Sequence, residues 1–270
     1  MVSNVHLSQN PLFSSITLIN KKCNDKNIAM VDDFKTVNIK VDADLKPDIT
    51  HGDAVEMFIK SGLPDANIDK FHTTVDEISV RDALNSILQS DKKYDAVNIS
   101  KSSDISYKEL SKLVGKRITP KNISANKELV KQKLFKSNYP EVAYIEEINK
   151  NLESLIKSGT KVYIASGNKG KKSLNLYTLA DGVEVVGALK QNGRRANFST
   201  INSLVKRHEK GVFKVKKVVD SEGKKGFDFT QNNSPDVLEQ QTTSIMKFPF
   251  FTVSGTSFAA PQALIKDLQN

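Results

Sequence analysis

Apolar residues along the chain fall alternately into short continuous runs and helix-spaced stripes. Residues 28–31, IAMV, form an apolar run closed by Asp32 and Asp33, the pattern of a buried strand with carboxylates at its C-terminal end. Val37 to Val41 predicts another strand. In HGDAVEMFIKSGL, which begins at His51, Val55, Phe58 and Ile59 share one helical face, and Gly62 with Pro64 stops the helix. VRDALNSILQS predicts a second amphipathic helix, with Ala83, Leu84, Ile87 and Leu88 turned inward. DAVNIS reads as a strand, EEINKNLESLIKSG as a helix stopped by Gly159, KVYIASGNKG as a strand entering a glycine turn, and VEVVGAL as a strand. Near the end, the β-prone run Phe248 to Val253 leads into GTSFAAP. Phe258, Ala259, Leu264, Ile265 and Leu268 follow at helical spacing, so strand, glycine turn and helix are predicted there.

Strands that are nearly all apolar, alternating with helices of about ten residues, belong to a parallel sheet covered on both faces. The predicted class is therefore α/β, and in such sheets the polar groups at the C-terminal ends of strands build the site. Two segments fit less well. Residues 101–140 are polar and lysine-rich, with Pro120 and Pro140, and read as an insertion between a strand and its helix. Residues 203–247 carry a charged stretch that reads as one or two surface hairpins. No internal repeat is evident. The organisation expected is an N-terminal extension over residues 1–27 and one domain over 28–270.

Composition narrows the function classes. With 270 residues, 38% of them apolar and 26% charged, the chain is globular and long enough for a large core. A single cysteine, Cys23, excludes an internal disulfide framework. The net charge is +9, yet only five of the 40 basic residues are arginine: Arg81, Arg117, Arg194, Arg195 and Arg207. The lysines are scattered, tryptophan is absent, and no arginine cluster with interleaved aromatics stands out. A solvated lysine surface is expected, not a specific nucleic-acid site. The N-terminal stretch lacks a basic region ahead of an apolar core, and no apolar run approaches the roughly 18 residues that span a bilayer. A cytoplasmic location, or export without a recognisable signal peptide, and no membrane partner are the expectations.

Ser257 lies near a predicted helix N-terminus, where free backbone N–H groups and the dipole favour developing negative charge. Its hydroxyl reads either as a nucleophile or as an ordinary helix cap. A nucleophilic serine needs a base and a carboxylate to orient it. Four histidines are available: His6 in a tail, His72 in a loop-like stretch, His208 among charged residues and read as solvated, and His51 at a helix start beside Gly52. His51 reads as a base or as a structural residue. Asp32 and Asp33 read as carboxylates of a site or as turn formers, and Asn168 in SGNKG as an oxyanion donor or a turn residue.

Taken together, in the order Asp, His, Asn, Ser, these stretches resemble the subtilisin-like serine proteases. IAMVD is similar to the family's strand ending in the catalytic aspartate, HGDAV to its histidine motif, and DAVNIS to the strand leading into its cleft. ASGNKG resembles the segment with the oxyanion asparagine, VVGALKQNGRRANFS the strand and turn before the serine region, and GTSFAAP the serine motif. The resemblance runs from about residue 27 to 262. It implies a three-layer subtilisin-like fold and an endopeptidase with Ser257 as nucleophile, His51 as general base and acid, Asp32 orienting His51, and Asn168 with the Ser257 amide holding the oxyanion. Ser100, Lys101 and Ser102, with Ala165, Ser166 and Gly167, are implied to flank an extended peptide substrate by β-augmentation. The segment between Asp32 and His51 is short for the family, so no metal is expected, and no cofactor. Departures are also visible. Asp33–Phe34 stands where the family has Ser or Thr then Gly, Ala54 where it has a second histidine, and Lys101–Ser102 where it has leucine and glycine. They motivate an alternative, a catalytically inert module that binds extended peptides.

Overall fold

The structure is a computed structural model that describes residues 25–35, 49–238 and 250–270. The strand expected over Val37–Val41, His6, Cys23 and most of the N-terminal extension lie outside the described residues.

A six-stranded sheet forms the centre. β1 (Asn27–Asp32) is followed by helix α1 (His51–Gly62) and by β2 (Asn67–His72). Next come α2 (Glu77–Gln89), β3 (Ala96–Ile99), the short β4 (Asp104–Ser106), α3 (Tyr107–Val114), α4 (Lys127–Phe135) and α5 (Val142–Lys157). The chain continues through β5 (Lys161–Ala165), β6 (Ser173–Asn175), β7 (Glu184–Leu189) and β8 (Arg207–Lys210). β9 (Val212–Val219), β10 (Lys225–Asp228), β11 (Val237–Leu238), β12 (Phe250–Ser254) and α6 (Thr256–Gln269) complete it. The central order is β2-β1-β3-β5-β7-β8, and every neighbouring pair is parallel. The α/β class with helices on both faces is what the alternation of apolar runs and helical stripes predicts.

Each central strand is apolar throughout because it feeds two cores. In β1, Ala29 and Val31 face a core built with α2, α3, α4 and α5, while Ile28 and Met30 face one built with α1, α6 and the antiparallel sheet β11-β10-β9-β12. The chain leaves β1 towards α1 on one face and leaves β3 towards the opposite face. That reversal opens a crevice at the C-terminal ends of these strands.

Four readings change in detail. Leu88 is exposed, and the buried stripe of α2 is Val80, Ala83, Leu84 and Ile87, since Leu88 falls off that arc. The charged stretch expected to be surface hairpins does contain the β9–β10 hairpin, but its first part, β8, joins the central sheet beside β7. His208 is therefore half-buried, not solvated. It packs over Gly187, where a side-chain carbon would come within 2.6 Å of its ring. Burial is the main cause that lowers its pKa, and nearby Arg195 adds to it. His72 ends strand β2, in register with Asp32, where a loop was expected. The lysine-rich residues 101–140 carry their own buried stripe: Leu110, Val114, Ile118, Ile123, Val130 and Leu134 all enter the core shared with α2 and α5.

Candidate active site

β1 ends at Asp32, which is 1% exposed. α1 begins directly above it. Thr50 caps that helix through a reciprocal pair with Asp53, which fixes the first turn and so aims His51. Gly52 lets the helix approach: its N–H donates to the carbonyl of Asp33 at 2.9 Å, and any side chain there would strike Phe34 and that carbonyl. Nδ1 of His51 lies 2.7 Å from Oδ1 of Asp32. An ionised carboxylate only accepts, so Nδ1 carries the proton and Nε2 is left as an acceptor. Nε2 lies 2.9 Å from Oγ of Ser257, whose hydroxyl donates to it. The Asp33 amide also donates to Oδ1 of Asp32 at 2.7 Å, and the ring of His51 rests against Phe258, 5.4 Å between centroids. Asp33 itself faces away, with its carboxylate near His72 and the Lys35 amide. Of the neighbouring acids, Asp32 thus hydrogen-bonds His51, and Asp33 approaches His72.

Gly255 occupies the cap position of α6, with extended backbone and no side-chain cap. Ser257 is inside the first turn, so it is not the helix cap. A side chain at residue 255 would come within 2.7 Å of the Ser257 hydroxyl, which only glycine leaves clear. The backbone N–H of Ser257 has no partner among the described residues and stands at the positive end of the helix.

Asn168 is exposed in the turn after β5. Its Oδ1 accepts from the Thr256 backbone N–H at 2.9 Å and from the Thr256 hydroxyl at 3.0 Å. Because the backbone partner is a donor, the amide oxygen must point at it, which leaves the NH₂ group turned away from Thr256. Oγ1 of Thr256 also accepts from the Gly167 N–H at 3.1 Å. One buried hydroxyl thus ties the glycine turn to the start of α6.

Beyond Ile99 and Ile164 the neighbouring strands β3 and β5 part, and residues 100–102 and 165–167 form two diverging edges. Ser100 takes a bond from the buried Asn98 at 3.0 Å and donates to the Ser257 carbonyl at 3.3 Å, so it braces the backbone of Ser257. Ser166 is fully buried, and Ser102 is exposed. Lys101 offers its carbonyl to Asn175.

No family model and no curated protein matches the sequence. Solved structures match its fold. A lanthipeptide protease superposes with a TM-score of 0.55 at 15% identity, over 90% of this chain and 72% of that one. The self-cleaved protease domain of PatA gives 0.51 at 14% identity, covering 90% of this chain and 78% of that one. A cold adapted subtilisin-like serine proteinase gives 0.50 at 16% identity, with 91% and 76% covered. The chain has the subtilisin-like fold.

Within that subtilisin-like fold, two residues that sequence reasoning did not single out hold the cleft. Thr256 is one, through the bonds just described. Asn175, fully buried, is the other: it donates to the carbonyls of Ala165 at 2.9 Å and Lys101 at 3.3 Å, and accepts from the amides of Ser103 and Tyr177. Helix α6 of this subtilisin-like fold is also pinned at its far end. Asp267 accepts from Arg207 and from the Tyr163 hydroxyl; burial pushes its carboxyl up, and these two partners outweigh that and hold it below the usual range. Among the described residues, no helix is long and apolar enough to cross a membrane.

Proposed function

We propose that the chain is a serine endopeptidase that cleaves extended peptides through an acyl-enzyme. The observation that carries this reading is the unbroken hydrogen-bonded line from Asp32 through His51 to Ser257, at 2.7 and 2.9 Å. The catalytic unit is residues 28–270, with residues 101–140 an addition between strand and helix.

Ser257 attacks the scissile carbonyl carbon while Nε2 of His51 takes the hydroxyl proton. Asp32 keeps the imidazole in the tautomer that accepts, and its charge stabilises the imidazolium that forms. The carbonyl oxygen becomes negative between the Asn168 NH₂ group and the Ser257 N–H, two donors held in place before reaction begins. His51 then returns the proton to the leaving amine. A water molecule, activated by the same His51, attacks the acyl carbon and frees Ser257. Residues 100–102 and 165–167 flank the peptide by strand pairing.

Intact mass after incubation with a fluorophosphonate tests this. One adduct on the parent protein, absent from Ser257→Ala and His51→Ala, is the expected result. A parent protein that melts cooperatively yet takes no adduct would refute an activated serine and leave the peptide-binding alternative.

A further inference from the structure

Three lysines face one recess away from the cleft. Lys210 ends β8, and Lys214 and Lys216 stand on β9, where they alternate with the buried Phe213 and Val215. The three line a cavity of about 480 Å³, completed by the side-chain amides of Gln191, Gln231 and Asn233, with Asp228 in its wall. In the central sheet β7 separates β8 from β5, so the cavity is no part of the fork between β3 and β5.

Its charges are not balanced from within. Elsewhere, recessed lysines meet carboxylates: Lys70 pairs with Glu56, Lys92 with Asp69 and Lys131 with Glu153. Lys210, Lys214 and Lys216 form no ion pair among the described residues. The Lys210 ammonium donates to the side-chain oxygen of Gln231 and lies 4.6 Å from the Phe213 ring centroid, and that of Lys214 lies 3.6 Å from the Phe250 ring centroid. Burial lowers the Lys210 pKa, a cost that a bound anion offsets. Asp228 lies opposite Lys216 in the ladder but turns its oxygens to its own loop. Oδ1 accepts from the backbone N–H groups of Gln231 and Asn232 at 2.6 and 3.1 Å, and Oδ2 from that of Asn233 at 3.0 Å. The recess therefore holds surplus positive charge, and a concave surface of one sign concentrates the field.

Spacing and chemistry select the ligand. Lys214 and Lys216 stand two residues apart on one strand, about 6.8 Å, which is the repeat of alternate side chains in any extended polypeptide. Acidic residues at alternate positions meet the two ammonium groups in step. A nucleic acid is served less well. The cavity has no arginine for bidentate contact with phosphate, and the exposed ring beside it, Phe250, already has the Lys214 ammonium over its face. We propose that this cavity binds an extended polypeptide segment with acidic residues at alternate positions, held by Lys214 and Lys216 and reaching Lys210. Binding there needs no reaction at Ser257, so it stands or falls independently of the peptidase reading.

Fluorescence anisotropy of labelled hexapeptides tests this on the full chain carrying Ser257→Ala, which keeps the probe intact. One probe alternates Thr with Glu, a second alternates Thr with Gln, and a short oligothymidylate of equal charge is the third. At about 0.1 M salt the Glu peptide is expected to bind about tenfold tighter than the Gln peptide. Lys214→Gln with Lys216→Gln should remove most of that ratio. Lys133→Gln with Lys136→Gln takes the same charge from the exposed surface at the end of α4 and should leave it unchanged. Ratios within one sample do not depend on how much of a variant folds. Equal binding of the Glu and Gln peptides, or an equal loss in both double variants, would overturn the site and leave only a generally basic surface. Tighter binding of the oligothymidylate, lost with Lys214 and Lys216, would overturn the polypeptide as its ligand.

Discussion

Replacing Thr256 by valine keeps the volume and removes one buried hydroxyl that makes two bonds. The Gly167 N–H, at 3.1 Å, loses its acceptor, and Oδ1 of Asn168 loses one of its two donors. A buried donor left unsatisfied costs about 1–3 kcal/mol of stability, which corresponds to a melting temperature lower by about 2–4 °C per kcal/mol for a chain of this size. The catalytic effect is separate. Complete loss of an oxyanion donor slows acyl transfer by about 10²–10³-fold. Here the amide keeps its bond to the Thr256 backbone N–H at 2.9 Å, so it is loosened, not lost. The lost bond is worth about 1 kcal/mol, and a slowing of about fivefold is expected. The second-order rate of fluorophosphonate labelling measures this without knowledge of the substrate, and Asn168→Ala in the same assay sets the upper bound. A lower melting temperature with an unchanged labelling rate would refute the argument, because it would mean that the hydroxyl supports the turn without orienting Asn168.

Two further outcomes are expected. Gly52→Ala forces the start of α1 away from the Asp33 carbonyl, 2.9 Å from the added carbon, and displaces His51; labelling should fall by about 10²-fold, the loss expected of a misplacement near 1 Å, and an unchanged rate would show that the close approach is not needed. His208 has a lowered pKa in the folded state, chiefly through burial, so the unfolded chain binds its proton more readily. Stability should therefore be complete above the unfolded value of about 6.5 and decline as pH falls from there through the folded value. Urea unfolding at pH 5 and pH 7.5 should show a smaller difference in His208→Gln than in the parent, and equal differences would dismiss the assignment.

The parts of the fold that could be read from the sequence are those whose burial is periodic. β1, β3 and β5 announce themselves because both faces are covered, and α1 because its stripe and stop residues agree. Asp32, His51, Asn168 and Ser257 stand at the ends of such elements, and the structure brings all four together. What escaped depends on partners far along the chain. β8 hid in a charged run because Arg207 and Glu209 bond to each other and to Asp267 and Lys266 of α6, so charges that look solvated are neutralised at a packed edge. Asn175 gave no signal, since a lone asparagine in SLNLY has no periodicity and three of its four side-chain partners lie 10 to 74 residues away.

Asn175 has all of its donors and acceptors engaged, two carbonyls on one side and two amides on the other. It acts as a spacer of fixed length set into the fork between two strands. On the proposed peptidase reading, a fork held at one width does not adjust to its guest, so the entropy of ordering falls on the peptide alone. The measure of a good ligand then becomes how little freedom it has to lose: a segment already drawn out straight, or cyclised into that shape, gains over a limp chain of identical sequence, whereas a helical stretch has to melt before it is admitted.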